Sequence, residues 1–189
     1  MVRWEPGTLE RLQLAALELF EERGYDGTTV ADIAARAGLT ERTFYRHYAD
    51  KREVLVSGTS ELAALFTKTI SAQPEGVAPL AAVAAALDAV GAFFDTRRSF
   101  AVRRQAAVAA SRDLQERELA KLDALTATVV TSLQERGTAP STAQVIATVG
   151  VSLFHVAFSQ WVSDQQGRTF GTFVRMALSA LRDQVVTTA

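Results

Sequence analysis

The stretch "AGLTERTFYRHYADKREVL", Ala37 to Leu55, sets Arg42, Thr43, Tyr45, Arg46 and His47 side by side in one short segment. No apolar core accommodates those five together, so they face solvent or something outside the chain. On a helical wheel from Thr40 to Tyr48, Phe44 and Tyr48 stand four apart and share a face, which leaves Arg42, Thr43, Tyr45 and Arg46 on the opposite one. The segment reads as a helix that packs through Phe44 and Tyr48 and turns its cations outward.

The neighbouring residues repeat the helical pattern. Upstream, "DGTT" offers Thr28 or Thr29 as N-cap, Thr29 and Asp32 have the spacing of a capping box, and Val30, Ile33, Ala34 and Ala37 form an apolar stripe that Gly38 ends. Further back, Leu12, Ala16, Leu19 and Phe20 predict a helix from Leu9 that Gly24 stops. Downstream, Thr40 caps the quoted helix, and Asp50 with Glu53 marks another capping box for a fourth helix from Lys51 to about Ala72. Two short helices joined by a turn containing glycine have the dimensions of a helix-turn-helix, which lays its second helix in the DNA major groove. The residue types suit that role, since Arg pairs with guanine, Thr and Tyr bond phosphates or meet thymine methyls, and His and Lys add charge.

After "SAQPEGVAP" the texture changes to longer, Ala-rich helices, predicted over Leu80–Asp95, Phe100–Ala110, Leu114–Arg136, Ala143–Ser163 and Phe170–Val186. Breaks are expected at Arg97–Ser99, Arg112–Asp113, "GTAPS" and "QQGR". No stretch alternates as a strand would, so the fold class is all-α with about nine helices.

Composition narrows the function classes. The 189 residues are 48% hydrophobic and 22% charged, which fits a globular chain and excludes disordered and fibrous classes. The absence of cysteine removes disulfides, thiolate catalysis and Cys-based zinc sites together. The apolar run "VAPLAAVAAALDAVGAFF" is broken by Asp88 and Gly91, and no membrane segment is read from the sequence. The start "MVRWEPGTLERL" lacks the apolar core and cleavage site of a secretory signal, which predicts a cytoplasmic protein. Net charge is −1, and up to Arg52 eight basic residues face nine acidic ones, so no basic domain announces a nucleic-acid partner. The signal is local: five of those eight basic residues lie between Arg36 and Arg52.

The run "LELFEERGYDGTTVADIAARAGLTERTFYRHYADKREVL", and within it "TTVADIAARAGLTERTFYRHYADK", closely resembles the N-terminal domain of the tetracycline-repressor (TetR) family of bacterial transcription regulators. That resemblance implies a three-helix DNA-binding domain at residues 1–52 and an all-helical ligand-binding and dimerisation domain at residues 53–189. It implies a homodimer on an inverted repeat of double-stranded operator DNA, released by a small-molecule effector. The family's phosphate contacts fall on Thr29, Thr43, Tyr45, His47 and Lys51, and its base-reading positions on Thr40, Glu41, Arg42 and Tyr45. Arg46 shares the outward face, and Lys51 at a helix start also suits a phosphate on physical grounds.

In the C-terminal half, Ala143–Ser163 is apolar on nearly every side, which predicts burial on both sides. The last helix carries a stripe of Phe170, Phe173, Val174, Ala177, Leu178, Leu181 and Val185. Either these helices complete the core of one chain, or, as the resemblance implies, they pair with their copies in a dimer. Candidate ligand-binding residues are Phe66, Phe93, Phe94, Phe100, His155 and Phe158, with Arg103 and Arg104 as anion partners; the plain alternative is a filled core, with His155 a satisfied core histidine. "RRSFAVRRQAAVAASRDLQERELAKL" resembles TetR-type regulators that bind acyl-CoA-like ligands. An enzyme is the rival class, but no glycine-rich phosphate loop, HExxH or nucleophile elbow appears, and no cofactor is called for. A helical adaptor without DNA binding is the third.

Overall fold

The computed structural model describes residues 7–56 and 59–186. Among these the chain is all helix: α1 Thr8–Arg23, α2 Val30–Arg36, α3 Glu41–His47, α4 Glu53–Val56, α5 Thr59–Ser71, α6 Pro79–Asp95, α7 Arg98–Ala109, α8 Arg112–Glu135, α9 Pro140–Ser163 and α10 Phe170–Val186. The expected fourth helix corresponds to α4 and α5, on either side of residues 57 and 58, and it begins at Glu53 because Asp50 accepts from the amides of Arg52 and Glu53. Helix α7 begins two residues before the expected Phe100, and the expected break at Arg112–Asp113 falls inside α8. The chain breaks one residue earlier, where the Ser111 carbonyl accepts from Gln115 N at 3.0 Å. Helix α9 begins at Pro140, which needs no amide partner in a first turn and already has a helical φ.

The chain divides into two compact units, Met1–Gly58 with Arg103–Ala120, and Thr59–Val102 with Lys121–Ala189. In the first, α1, α2, α3 and α4 enclose a core in which Leu12, Leu17, Ile33, Phe44 and Val54 are fully buried. Buried Thr28 donates its hydroxyl to Gly24 O at 2.9 Å, which closes the α1–α2 loop. The later residues of this unit are tied in by charge. Arg103 forks onto Glu21 at 2.6 and 2.8 Å, buried Arg104 donates to Leu55 O at 2.6 Å and pairs with Glu118, and Arg117 pairs with Glu53.

In the second unit, α6 packs against α5, α9 and α10, and α9 against α10. The α6–α9 crossing is close: a Cβ on Gly150 would fall 2.4 Å from Val83 Cγ1. Arg98 donates to Trp161 O at 2.8 Å in the last turn of α9 and to Asp164 O at 2.5 Å and Arg168 O at 2.9 Å in the loop that follows. Asp95 accepts from Phe170 N at 2.9 Å, which caps α10. Asp164 is held below the usual carboxylate range: burial opposes this, but bonds from the Arg168 side chain and amide, with the charge of Arg98, outweigh it.

Helix α9 is long and apolar enough to cross a bilayer by length and composition, with a mean hydropathy of 1.6, but a core helix passes the same test, and Phe154, Phe158 and Trp161 are buried in this unit. Within one chain α9 is buried on one side only, since Val145 and Val156 are 61% and 47% exposed. On α10, Phe170, Phe173, Val174 and Leu178 are buried, Met176 is 48% exposed, and the side chain of Val185 lies outside the described residues.

Candidate nucleic-acid interface

Local bonding fixes the two short helices end to end. Thr29 and Asp32 form the expected capping box: Asp32 accepts from Thr29 N at 2.9 Å and its hydroxyl at 2.6 Å, and Asp32 N donates back to Thr29 Oγ1 at 3.1 Å. These bonds and the nearby Arg23 lower the Asp32 pKa to about 2. Helix α2 ends in a Schellman motif, with Leu39 N on Ala34 O at 2.8 Å, Gly38 N on Ala35 O at 3.0 Å, and Gly38 at φ 65°. Thr40 then caps α3 by accepting from Thr43 N at 3.2 Å.

Phe44 and Tyr48 are buried, as the wheel predicts, with ring centroids 5.3 Å apart. Thr40, Glu41, Arg42, Tyr45, Arg46 and His47 are exposed and Thr43 half-buried, so α3 presents one polar face. Tyr45 is 56% exposed and stands edge-on to Phe44 at 5.6 Å, which holds a large amphipathic ring out from the surface.

Charge pairing decides which guanidiniums of this near-neutral unit are left free. Arg23 pairs with Asp32, Arg36 with Glu18 and Glu22, Arg52 with Asp50, Arg103 with Glu21, Arg104 with Glu118, Arg112 with Glu116 and Arg117 with Glu53. Arg11 and Lys51 are taken up by backbone carbonyls. Among the described residues of this unit, Arg42 and Arg46 are the arginines with neither kind of partner; Arg46 instead lies 3.5 Å from His47 Nε2. These unpaired guanidiniums sit on α3, beside Glu41.

The structure gives Lys51 a different place from the expected phosphate contact. Its ammonium donates to Tyr25 O at 2.7 Å and Thr28 O at 2.9 Å and lies 3.9 Å from the centre of the Tyr25 ring, because the α1–α2 loop turns its carbonyls toward the start of α4. Thr29 likewise spends its hydroxyl proton on Asp32.

Residues 14–57 match the model of the N-terminal domain of bacterial regulatory proteins of the tetR family. Residues 14–57 are a head of the tetR type. Over 83 residues the chain is 40% identical to the transcriptional regulator TcmR of Streptomyces glaucescens, covering 44% of this chain and 37% of TcmR. The chain thus spans little more than a third of that relative's length. Among solved structures, the fold is similar to Thermus thermophilus FadR, a TetR family repressor in complex with lauroyl-CoA, with a TM-score of 0.57 and 22% identity over 92% of each chain. It is also similar to Bacillus subtilis FadR in complex with stearoyl-CoA, with a TM-score of 0.59 and 17% identity over 90% of this chain and 96% of that one.

Beyond the tetR-type head, the candidate ligand residues separate. Phe94 is the hub of an aromatic cluster, with ring centroids 5.2 to 6.0 Å from Phe93, Phe154, Phe158, Trp161 and Phe170. Phe154, Trp161 and Phe170 were absent from the expected set, although Phe154 and Trp161 stand at helical spacing from Phe158 on α9 and Phe170 opens α10. Phe93 is covered by the Arg97 guanidinium at 4.1 Å, Phe66 is fully buried with Leu62 and Ile70, and Phe100 is half-buried. His155 is exposed on α9 rather than in the core, because it falls on the side that Phe154 and Phe158 turn away from. Arg103 and Arg104 belong to the first unit and neutralise Glu21 and Glu118, so neither is a free anion partner.

Proposed function

We propose that this protein is a ligand-responsive transcriptional repressor that binds an inverted-repeat operator as a homodimer. The observation that carries this reading is the outward face of α3, where Arg42 and Arg46 are uncompensated in a unit whose other described arginines are bonded within the chain. Arg42 with Glu41, Thr40 and Tyr45 reads base edges, Arg46 and His47 meet phosphates, and Thr43 bonds the backbone. Residues 1–52 carry DNA recognition and residues 53–189 effector binding and dimerisation, in the cytoplasm.

The open apolar side of α9 and α10 supports the dimer. Val149, Ser152, Val156, Met176, Ala180 and Leu181 line a groove of about 550 Å3 there, a surface that a second copy would fill. The Phe94 cluster supports an apolar effector, and the acyl-CoA complexes of the two FadR proteins point to an acyl chain as its class. The test is selection of duplexes from random DNA by the full chain. An inverted repeat should emerge, and an acyl-CoA series should release it; failure to enrich any sequence would refute the DNA-reading assignment.

A further inference from the structure

We propose that Arg11, on α1, is a positioning residue that sets the angle at which α3 enters the groove; the inference rests on the DNA-reading assignment above. The Schellman motif uses the carbonyls of Ala34 and Ala35 and leaves that of Ala37, the C-cap, open. Arg11 Nη2 donates to Ala37 O and lies 3.4 Å from Gly38 O, so one guanidinium takes up the two carbonyls on which the chain leaves α2. Only Leu39 separates that clasp from Thr40, the N-cap of α3. The position is tightly fitted: a Cβ on Gly38 would stand 2.9 Å from Arg11 Nη2. Phe44 and Tyr48 pin the inner face of α3 by apolar packing, which is non-directional, whereas the Arg11 clasp is a directional, charge-assisted bond at the helix entrance. The two together fix both the depth and the tilt of Thr40, Glu41 and Arg42.

A positioning residue and a phosphate contact differ in what their loss does. Removing a phosphate contact weakens all DNA alike and reduces the salt slope by about one, whereas tilting α3 weakens only the sequence whose base edges it must meet. The experiment uses the full-length protein, its selected operator and a scrambled duplex of equal length. Arg11→Met should lower operator affinity by about tenfold, the scale of one disturbed base contact, and leave scrambled-duplex affinity and salt slope unchanged. Arg11→Lys, which restores one donor to Ala37 O, should recover most of the loss, and the amide resonances of Gly38 and Leu39 should move in Arg11→Met alone. A parallel loss on both duplexes with a smaller salt slope would overturn the proposal in favour of a phosphate contact. Unchanged operator affinity in Arg11→Met would overturn it outright, and so would a loss that Arg11→Lys shares in full with folding intact. Should Arg11→Met fail to fold, Arg11→Gln, which removes the charge and keeps a shorter neutral donor, takes its place in the same affinity, salt-slope and amide measurements, with the same outcomes expected and overturning. Wild-type protein that selects no sequence would instead sink the assignment on which it rests.

Discussion

Arg42 stands on α3 without a carboxylate, so DNA need not displace an internal partner to engage it. Arg42→Ala should therefore cost operator binding ~1–3 kcal/mol and relax preference at one base pair, as a lost base-edge contact does. Fluorescence anisotropy against single-base operator variants would show this, and a uniform loss across variants would contradict it. Lys51 behaves differently, because its ammonium already serves two carbonyls and a ring. Lys51→Ala should lower folding stability by on the order of 1 kcal/mol in urea denaturation and leave the salt slope of DNA binding as it was. Sequence distinguishes these two cations poorly, since both lie in the same basic cluster and the difference is one of loop carbonyls brought in from Tyr25 and Thr28. Asp32 supplies a pH test. Its carboxyl falls from an ordinary 3.8 to about 2 in the fold, so its stabilising effect is complete above about 4 and fades as pH drops toward 2. The stability gap between wild type and Asp32→Asn should be constant from neutral pH to about 4 and narrow below it; a gap that widened on acidification would reverse the assigned sign.

At the scale of elements, the helix-turn-helix was legible because each of its joints uses side chains with a local signature: Thr29 with Asp32, Gly38, and Thr40. Gly38→Ala tests the turn. An alanine at φ 65° is strained by about 1–2 kcal/mol, and its Cβ would crowd Arg11 as well. The variant should melt earlier and bind operator more weakly, and an unchanged melting temperature would mean that the turn relaxes freely. Boundaries in the C-terminal half were harder to read. Helix α8 starts where the Ser111 carbonyl accepts from Gln115 N, and α9 at Pro140, positions that Ala-rich sequence marks only faintly. The meeting of α6 and α9 at Val83 and Gly150 leaves no trace in either helix alone, because it is a contact between residues far apart in the chain. Gly150→Ala should destabilise the protein by about 1–3 kcal/mol through overpacking, measurable by thermal unfolding.

For the whole molecule, the sequence of α9 showed that both its sides are apolar but not what covers each. One side meets the aromatic cluster of its own chain, and Val145, Val156 and, on α10, Met176 remain in the open. Phe173 is a poor probe of assembly because it is 3% exposed, so a charge there would damage the fold first. Met176→Glu places the charge on the open face instead. It should leave the helical content and core intact, convert the proposed dimer to monomer by light scattering, and abolish binding to an inverted repeat while single half-sites still bind weakly. A dimer that survived Met176→Glu would move the interface elsewhere. Effector coupling follows from linkage rather than from any one contact: an acyl-CoA that weakens operator affinity by some factor must itself bind the operator-bound dimer more weakly by that same factor. Titrating it with and without operator measures both sides of the cycle. Phe94→Ala, at the hub of the aromatic cluster, should reduce effector affinity while effector-free operator binding holds. Saturable acyl-CoA binding that left operator affinity unchanged would mean that the cluster binds a ligand without serving as a switch.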